Sequence, residues 1–115
     1  MPSSTTYEAG DVVLVWFRFS GGKGAKKRPA VILSVDPYHR SRADTIIIAL
    51  TTKMQNAYFG DYDLLDWQAA GLPSPSRSKG VIQTIERATI ERVFGQLSAR
   101  DMAALRDSVR LILGL

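Results

Sequence analysis

The sequence predicts a mainly β protein of α+β character, a small and strongly curled antiparallel sheet or barrel packed by one terminal helix. Three observations carry this. Short β-branched and aromatic runs recur along most of the chain, separated by Gly, Pro and Asp. Sustained helical periodicity comes only at the end, where Met102, Leu105, Val109 and Ile112 make one apolar stripe. The 115 residues, 45% apolar and 23% charged, are enough for one domain, 1–115, that needs neither disulfide nor structural metal.

Each element has a local reason. Asp11–Phe19 is too apolar to alternate and reads as a strand buried on both faces, with one of Trp16 and Phe17 inward and the other outward. Ser20–Lys27 reads as a flexible basic loop, Arg28–Val35 as the second strand, and Asp36-Pro37 as the start of a turn in which His39 is solvated. Thr45–Thr52 is the third strand and Asp61–Leu64 a short one. Asp66–Ala70 followed by Gly71 has the N-cap aspartate and C′ glycine of a one- or two-turn helix, with Trp67 as a packing anchor. Beyond the Pro73-Ser-Pro75 breaker, strands are expected near Gly80–Ile85 and Glu91–Gln96. The closing helix takes Ser98 as N-cap and Asp101 at N3, near the positive end of the dipole.

Composition removes whole classes of chemistry. There is no cysteine and a single histidine, His39, so thiol nucleophiles, cysteine zinc sites and two-histidine ribonuclease mechanisms are excluded, and no metal or other cofactor is expected. Val12–Phe17 and Ile46–Leu50 are too short to span a bilayer and the first ten residues are polar, so a cytoplasmic protein without a membrane partner is expected. The net charge of +4 is unevenly spread. Residues 20–42 hold Lys23, Lys26, Lys27, Arg28, Arg40 and Arg42 against Asp36 alone, a footprint for a polyanion.

If the second and third strands pair with Val35 opposite Thr45, Arg28 lies across from Thr52 and diagonal to Thr51. Pro29 biases Arg28 toward extended backbone and cannot donate to the ladder, which puts the arginine at the strand's mouth. A guanidinium gripping a phosphate through two donors, beside one or two hydroxyls, would suit a phosphodiester. On spacing alone the simpler reading, a surface arginine beside β-forming threonines, is preferred. Lys23, Lys26 and Lys27 are candidate phosphate contacts and Tyr38 a candidate stacking residue.

Gly10-Asp-Val-Val-Leu-Val15, Lys27-Arg-Pro-Ala-Val-Ile-Leu-Ser34 and Leu50-Thr-Thr52 resemble the three signature segments of the MazF/PemK toxins of bacterial type II toxin-antitoxin systems. Asp66-Trp-Gln-Ala-Ala-Gly-Leu72 and Gly95-Gln-Leu-Ser98 extend the similarity to the PemK-like growth inhibitor branch. The resemblance implies an SH3-like barrel, usually a homodimer, that acts as an mRNA interferase. Such a toxin is a metal-independent endoribonuclease on single-stranded mRNA, neutralised by a cognate antitoxin. It also implies that Arg28 and Thr51 are catalytic, and for such a substrate the charge, stacking and register arguments above make Lys23, Lys26, Lys27, Tyr38 and Thr52 the expected RNA contacts. Two family carboxylates are replaced, by Lys23 and Gln83, which leaves the general base without a candidate; Glu86 and Glu91 read as partners of Arg87 and Arg92. The alternatives are a non-catalytic toxin of the CcdB kind, which binds DNA gyrase on the same barrel, and an inactive barrel serving as a binding module.

Overall fold

The structure, a computed structural model, describes residues 6–18 and 24–115. Six strands, β1 (Asp11–Arg18), β2 (Ala25–Ile32), β3 (Asp44–Thr51), β4 (Tyr62–Asp63), β5 (Arg77–Glu86) and β6 (Ile90–Gln96), form one antiparallel sheet in the order β4-β5-β3-β2-β1-β6. The sheet curls into a half-barrel. Helix α1 (Asp36–Ser41) joins β2 to β3, and α2 (Ala99–Leu113) follows β6. Among the described residues no helix is long and apolar enough to cross a membrane.

Several boundaries differ from the sequence expectation. Strand β2 starts at Ala25, so Lys26 and Lys27 are not loop residues but pair with Phe17 and Trp16 of β1. Strand β1 continues to Arg18, and the ladder keeps extending while β1 supplies partners. Lys23 lies outside the described residues. The Asp36-Pro37 pair opens a helix instead of a turn. Proline in the first turn has its φ preset and lacks only an N–H that would go unpaired anyway, and Arg40 reaches back one turn to Asp36 at 2.5 Å.

His39 is buried at 6% exposure, not solvated. Its Nδ1 donates to the Tyr7 carbonyl (3.0 Å), an acceptor only, so Nε2 accepts from the Ser34 hydroxyl (2.6 Å). The 66–71 segment closes one hydrogen-bonded turn, Ala70 N to Asp66 O at 3.1 Å, and is not a regular helix. Gly71 stops it with φ +84, where a β-carbon would stand 2.3 Å from the Phe94 carbonyl oxygen. Strand β5 begins at Arg77, three residues earlier than expected, because it has partners in both β3 and β4 there.

The central strands are buried on both faces, as the unbroken apolar run of β1 requires. On one face Val12, Val31, Ile48 and Leu50 pack with Met102 and Leu105 of α2. On the other, Val13, Val15, Phe17, Ala30, Ile32, Ile47 and Ala49 close with Tyr7 and Ile90. Phe17 points in at 4% exposure and Trp16 out at 45%, and Trp67 packs against the α2-side core.

The α2 N-terminus is tied to residues 62–66 by a polar network. The Ser98 hydroxyl caps the helix, accepting from Asp101 N (3.2 Å), and donates to Asp66 (2.6 Å). Fully buried Asp101 accepts from the Tyr62 hydroxyl (2.6 Å), Leu65 N (3.0 Å) and Asp66 N (2.8 Å). Arg100 first, and Ser98 second, hold the Asp66 carboxyl well below the usual carboxylate range. Burial, reinforced by the bond to Asp101, pushes the Tyr62 hydroxyl from 10.0 to about 12. A group whose folded pKa lies above its unfolded value stabilises fully below the unfolded value and loses that contribution as pH rises through the interval. The stability difference between wild type and Tyr62→Phe is therefore expected to shrink between pH 10 and pH 12 in denaturant titrations. A constant difference across that window would show that the hydroxyl ionises as it does in the unfolded chain.

Candidate active site

One end of the sheet holds Arg28 and Thr51. There the ladders line up a transverse row: Asp63 of β4 opposite Arg77 of β5, and Arg77 opposite Thr51 of β3. Between β3 and β2 the partners are Ala30 with Ala49, Val31 with Ile48 and Ile32 with Ile47. Carried two residues further, this register sets Arg28 level with Thr51 and not with Thr52. The expected pairing of Val35 with Thr45 is thus one residue out, since β2 ends at Ile32 and Val35 already caps α1. Arg28 itself faces Val15, so its side chain leaves from the barrel-side face, half-buried at the rim.

Thr51 is 7% exposed, and its Oγ1 accepts from Lys53 N at 3.1 Å, leaving the hydroxyl proton available to donate. Thr52 lies just past the strand and is exposed. Arg77, 8% exposed, is held by two bonds to Asp63, Nε to Oδ1 at 2.5 Å and Nη2 to Oδ2 at 3.2 Å, and donates Nη1 to the Gln55 carbonyl at 3.1 Å. These bonds lower the Asp63 pKa and raise that of Arg77, so the pair stays ionised. A cleft beside Thr51 is lined by Lys53, Gln55, Asn56, Arg77 and Lys79.

The other candidates divide. Lys26 is exposed on the same strand face as Arg28. Lys27 points to the opposite face, where it meets Glu91 at 3.4 Å and sits 5.1 Å from the Trp16 ring centroid. Glu91 also accepts from the Trp16 indole at 2.9 Å, so its partners are Lys27 and Trp16, while Arg92 lies over Phe94. Glu86 pairs with Asp44 at the far end of β5, and Arg87 donates to the His39 and Arg42 carbonyls. Tyr38 is on α1, at the end of the sheet away from Arg28 and Thr51, stacked near Arg42. The structure does not bring it to the rim. Among the described residues no three or more His, Asp or Glu side chains are grouped as metal ligands.

A family model for PemK-like, MazF-like toxins of type II toxin-antitoxin systems matches residues 8–113. The chain belongs to that toxin family. The half-barrel of this toxin is also similar to solved structures at low identity. An endoribonuclease from Mycobacterial species superposes with TM-score 0.75 at 16% identity, covering 96% of this chain and 94% of that one. A MazE-MazF structure from Deinococcus radiodurans gives 0.77 at 18% identity, covering 97% and 99%. Mycobacterium tuberculosis toxin MazF-mt6 gives 0.74 at 20%, covering 91% and 97%. No curated protein matches the chain in sequence.

Sequence reasoning missed the Asp63–Arg77 pair of this toxin. An arginine just past the Pro73-Ser-Pro75 breaker reads as surface charge, and only the β4–β5–β3 register shows that it stands beside Thr51.

Proposed function

We propose that this toxin domain is an endoribonuclease that cuts single-stranded mRNA without a metal ion, with Arg28 and Thr51 at the scissile phosphate. The observation that supports the reading is the β2–β3 register, which, carried two residues past its last pair of Ala30 and Ala49, brings Arg28 level with Thr51 at one rim. Structural neighbours named endoribonuclease support the reaction class, and the MazE-MazF complex supports a cognate antitoxin as partner. A homodimer in the cytoplasm is the assembly and place that fit the family.

In this reading the RNA 2′-hydroxyl gives up its proton to solvent as its oxygen attacks phosphorus, the bond to the 5′-oxygen breaks with that oxygen taking a proton from solvent, and a 2′,3′-cyclic phosphate and a 5′-hydroxyl result. Arg28 grips two non-bridging oxygens through its planar fork and stabilises the charge that builds on the phosphorane. Thr51 donates its hydroxyl proton to a further phosphate oxygen. Lys26, on the same face, and Lys23 supply attraction to flanking phosphates, with Thr52 beside them. Lys27 contributes less, since Glu91 already offsets its charge.

The test is incubation of the purified protein with a long single-stranded RNA in EDTA. Cleavage is expected to persist and to leave 2′,3′-cyclic phosphate ends. Strict dependence on magnesium would overturn the mechanism.

A further inference from the structure

We infer that Arg77, locked by Asp63, is the positioning residue for the Thr51 hydroxyl. The inference rests on the assignment of Thr51 to the cleavage site. Thr51 pairs directly with Arg77 of the neighbouring β5, about 5 Å away by strand spacing. Both carboxylate oxygens of Asp63 are engaged with Arg77, and Nη1 of the arginine is turned to the Gln55 carbonyl, so three of its five N–H donors are committed within the protein.

Gln55 lies in the turn that follows Thr51. Lys53 of that turn donates its N–H to Thr51 Oγ1, and Asn56 closes the turn in the left-handed region at φ 42. Arg77 thus anchors the far side of the turn whose near side orients the hydroxyl. The connection runs from Asp63 through Arg77 and the Gln55 carbonyl to the Lys53 amide and Thr51.

Removing one partner of an ion pair is costly when the other is left buried without its counter-charge. Asp63 is 58% exposed, so losing Arg77 leaves its carboxylate in water.

The experiment uses the full chain, an RNA oligonucleotide and amide hydrogen exchange by NMR. In Arg77→Met, kcat is expected to fall about 10²-fold while KM moves less than about threefold, because a misplaced group costs the chemical step and not binding. The Lys53 amide should exchange faster than in wild type, and Arg77→Lys, which keeps charge but not the fork, should restore part of both. If Arg77→Met does not fold, Arg77→Lys carries the same two readouts against wild type.

An unchanged kcat overturns the inference. So does a raised KM with a flatter salt dependence and unchanged kcat, which would make Arg77 a direct phosphate contact. Activity in Thr51→Ala at the wild-type level removes the cleavage-site reading itself. A Lys53 amide that stays protected in Arg77→Met removes the positioning role alone.

Discussion

Arg28→Ala is expected to abolish RNA cleavage, lowering the rate at least 10²- to 10³-fold, the typical cost of deleting one preorganised donor to a transition-state oxyanion. The protein should stay folded. Arg28 is half-buried at a sheet rim beside Pro29, outside both apolar cores, so its melting temperature should reflect a loss of about 1 kcal/mol or less. Arg28→Lys should be badly impaired too, because an ammonium keeps the charge and loses the bidentate geometry. Thr51→Ala should cost more than Thr52→Ala, since the register places Thr51 in the row and leaves Thr52 exposed beyond it. Cleavage assays on the four variants, beside their thermal melts, decide the matter. Wild-type cutting by Arg28→Ala would leave the fold to a gyrase-binding or inert role.

The largest stability loss is expected at Asp101, and Asp101→Ala should cost about 3 to 5 kcal/mol. The carboxylate is fully buried and accepts from the Tyr62 hydroxyl and from two backbone N–H groups, of Leu65 and Asp66. Alanine leaves all three donors short of a partner, and each buried unmet donor costs about 1 to 3 kcal/mol. A small domain holds only about 5 to 15 kcal/mol in total, so the variant should be partly unfolded at moderate temperature. Asp101→Asn retains one acceptor and should fall between. Urea titrations check it, and a loss below about 1 kcal/mol would mean that the network is ornamental.

Much of this fold is legible in local pattern. The unbroken apolar run of β1 announces burial on both faces, and the Ser98 cap with the Met102–Leu105 stripe announces α2; each depends on neighbours in sequence. What was not legible depends on distant partners. The register between β2 and β3 is one residue off the expected one because β2 ends at Ile32 and Val35 belongs to the cap of α1, a boundary that no local pattern marks. His39 sits in a polar run, and nothing local signals that Ser34 and the Tyr7 carbonyl will bury it. Asp101 reads as a helix-dipole residue, whereas its stronger role is to satisfy 62–66 from far along the chain. Arg28 and Thr51 are candidates because a motif marks them; the Asp63–Arg77 pair beside Thr51 is visible only in the sheet.

The transverse row draws Asp63, Arg77, Thr51 and Arg28 from four strands, and α2 pins the segment before β5 through Asp101. Synthesis delivers these parts in the order Arg28, Thr51, Asp63, Arg77, Asp101. A nascent chain that has left the ribosome only as far as β3 carries Arg28 and Thr51 but neither the strand beside Thr51 nor the helix that closes one core. Such a chain pays loop-closure entropy without the burial that offsets it. The consequence is that the row is complete only once β5 has been made, and the helix that pins its flank comes last.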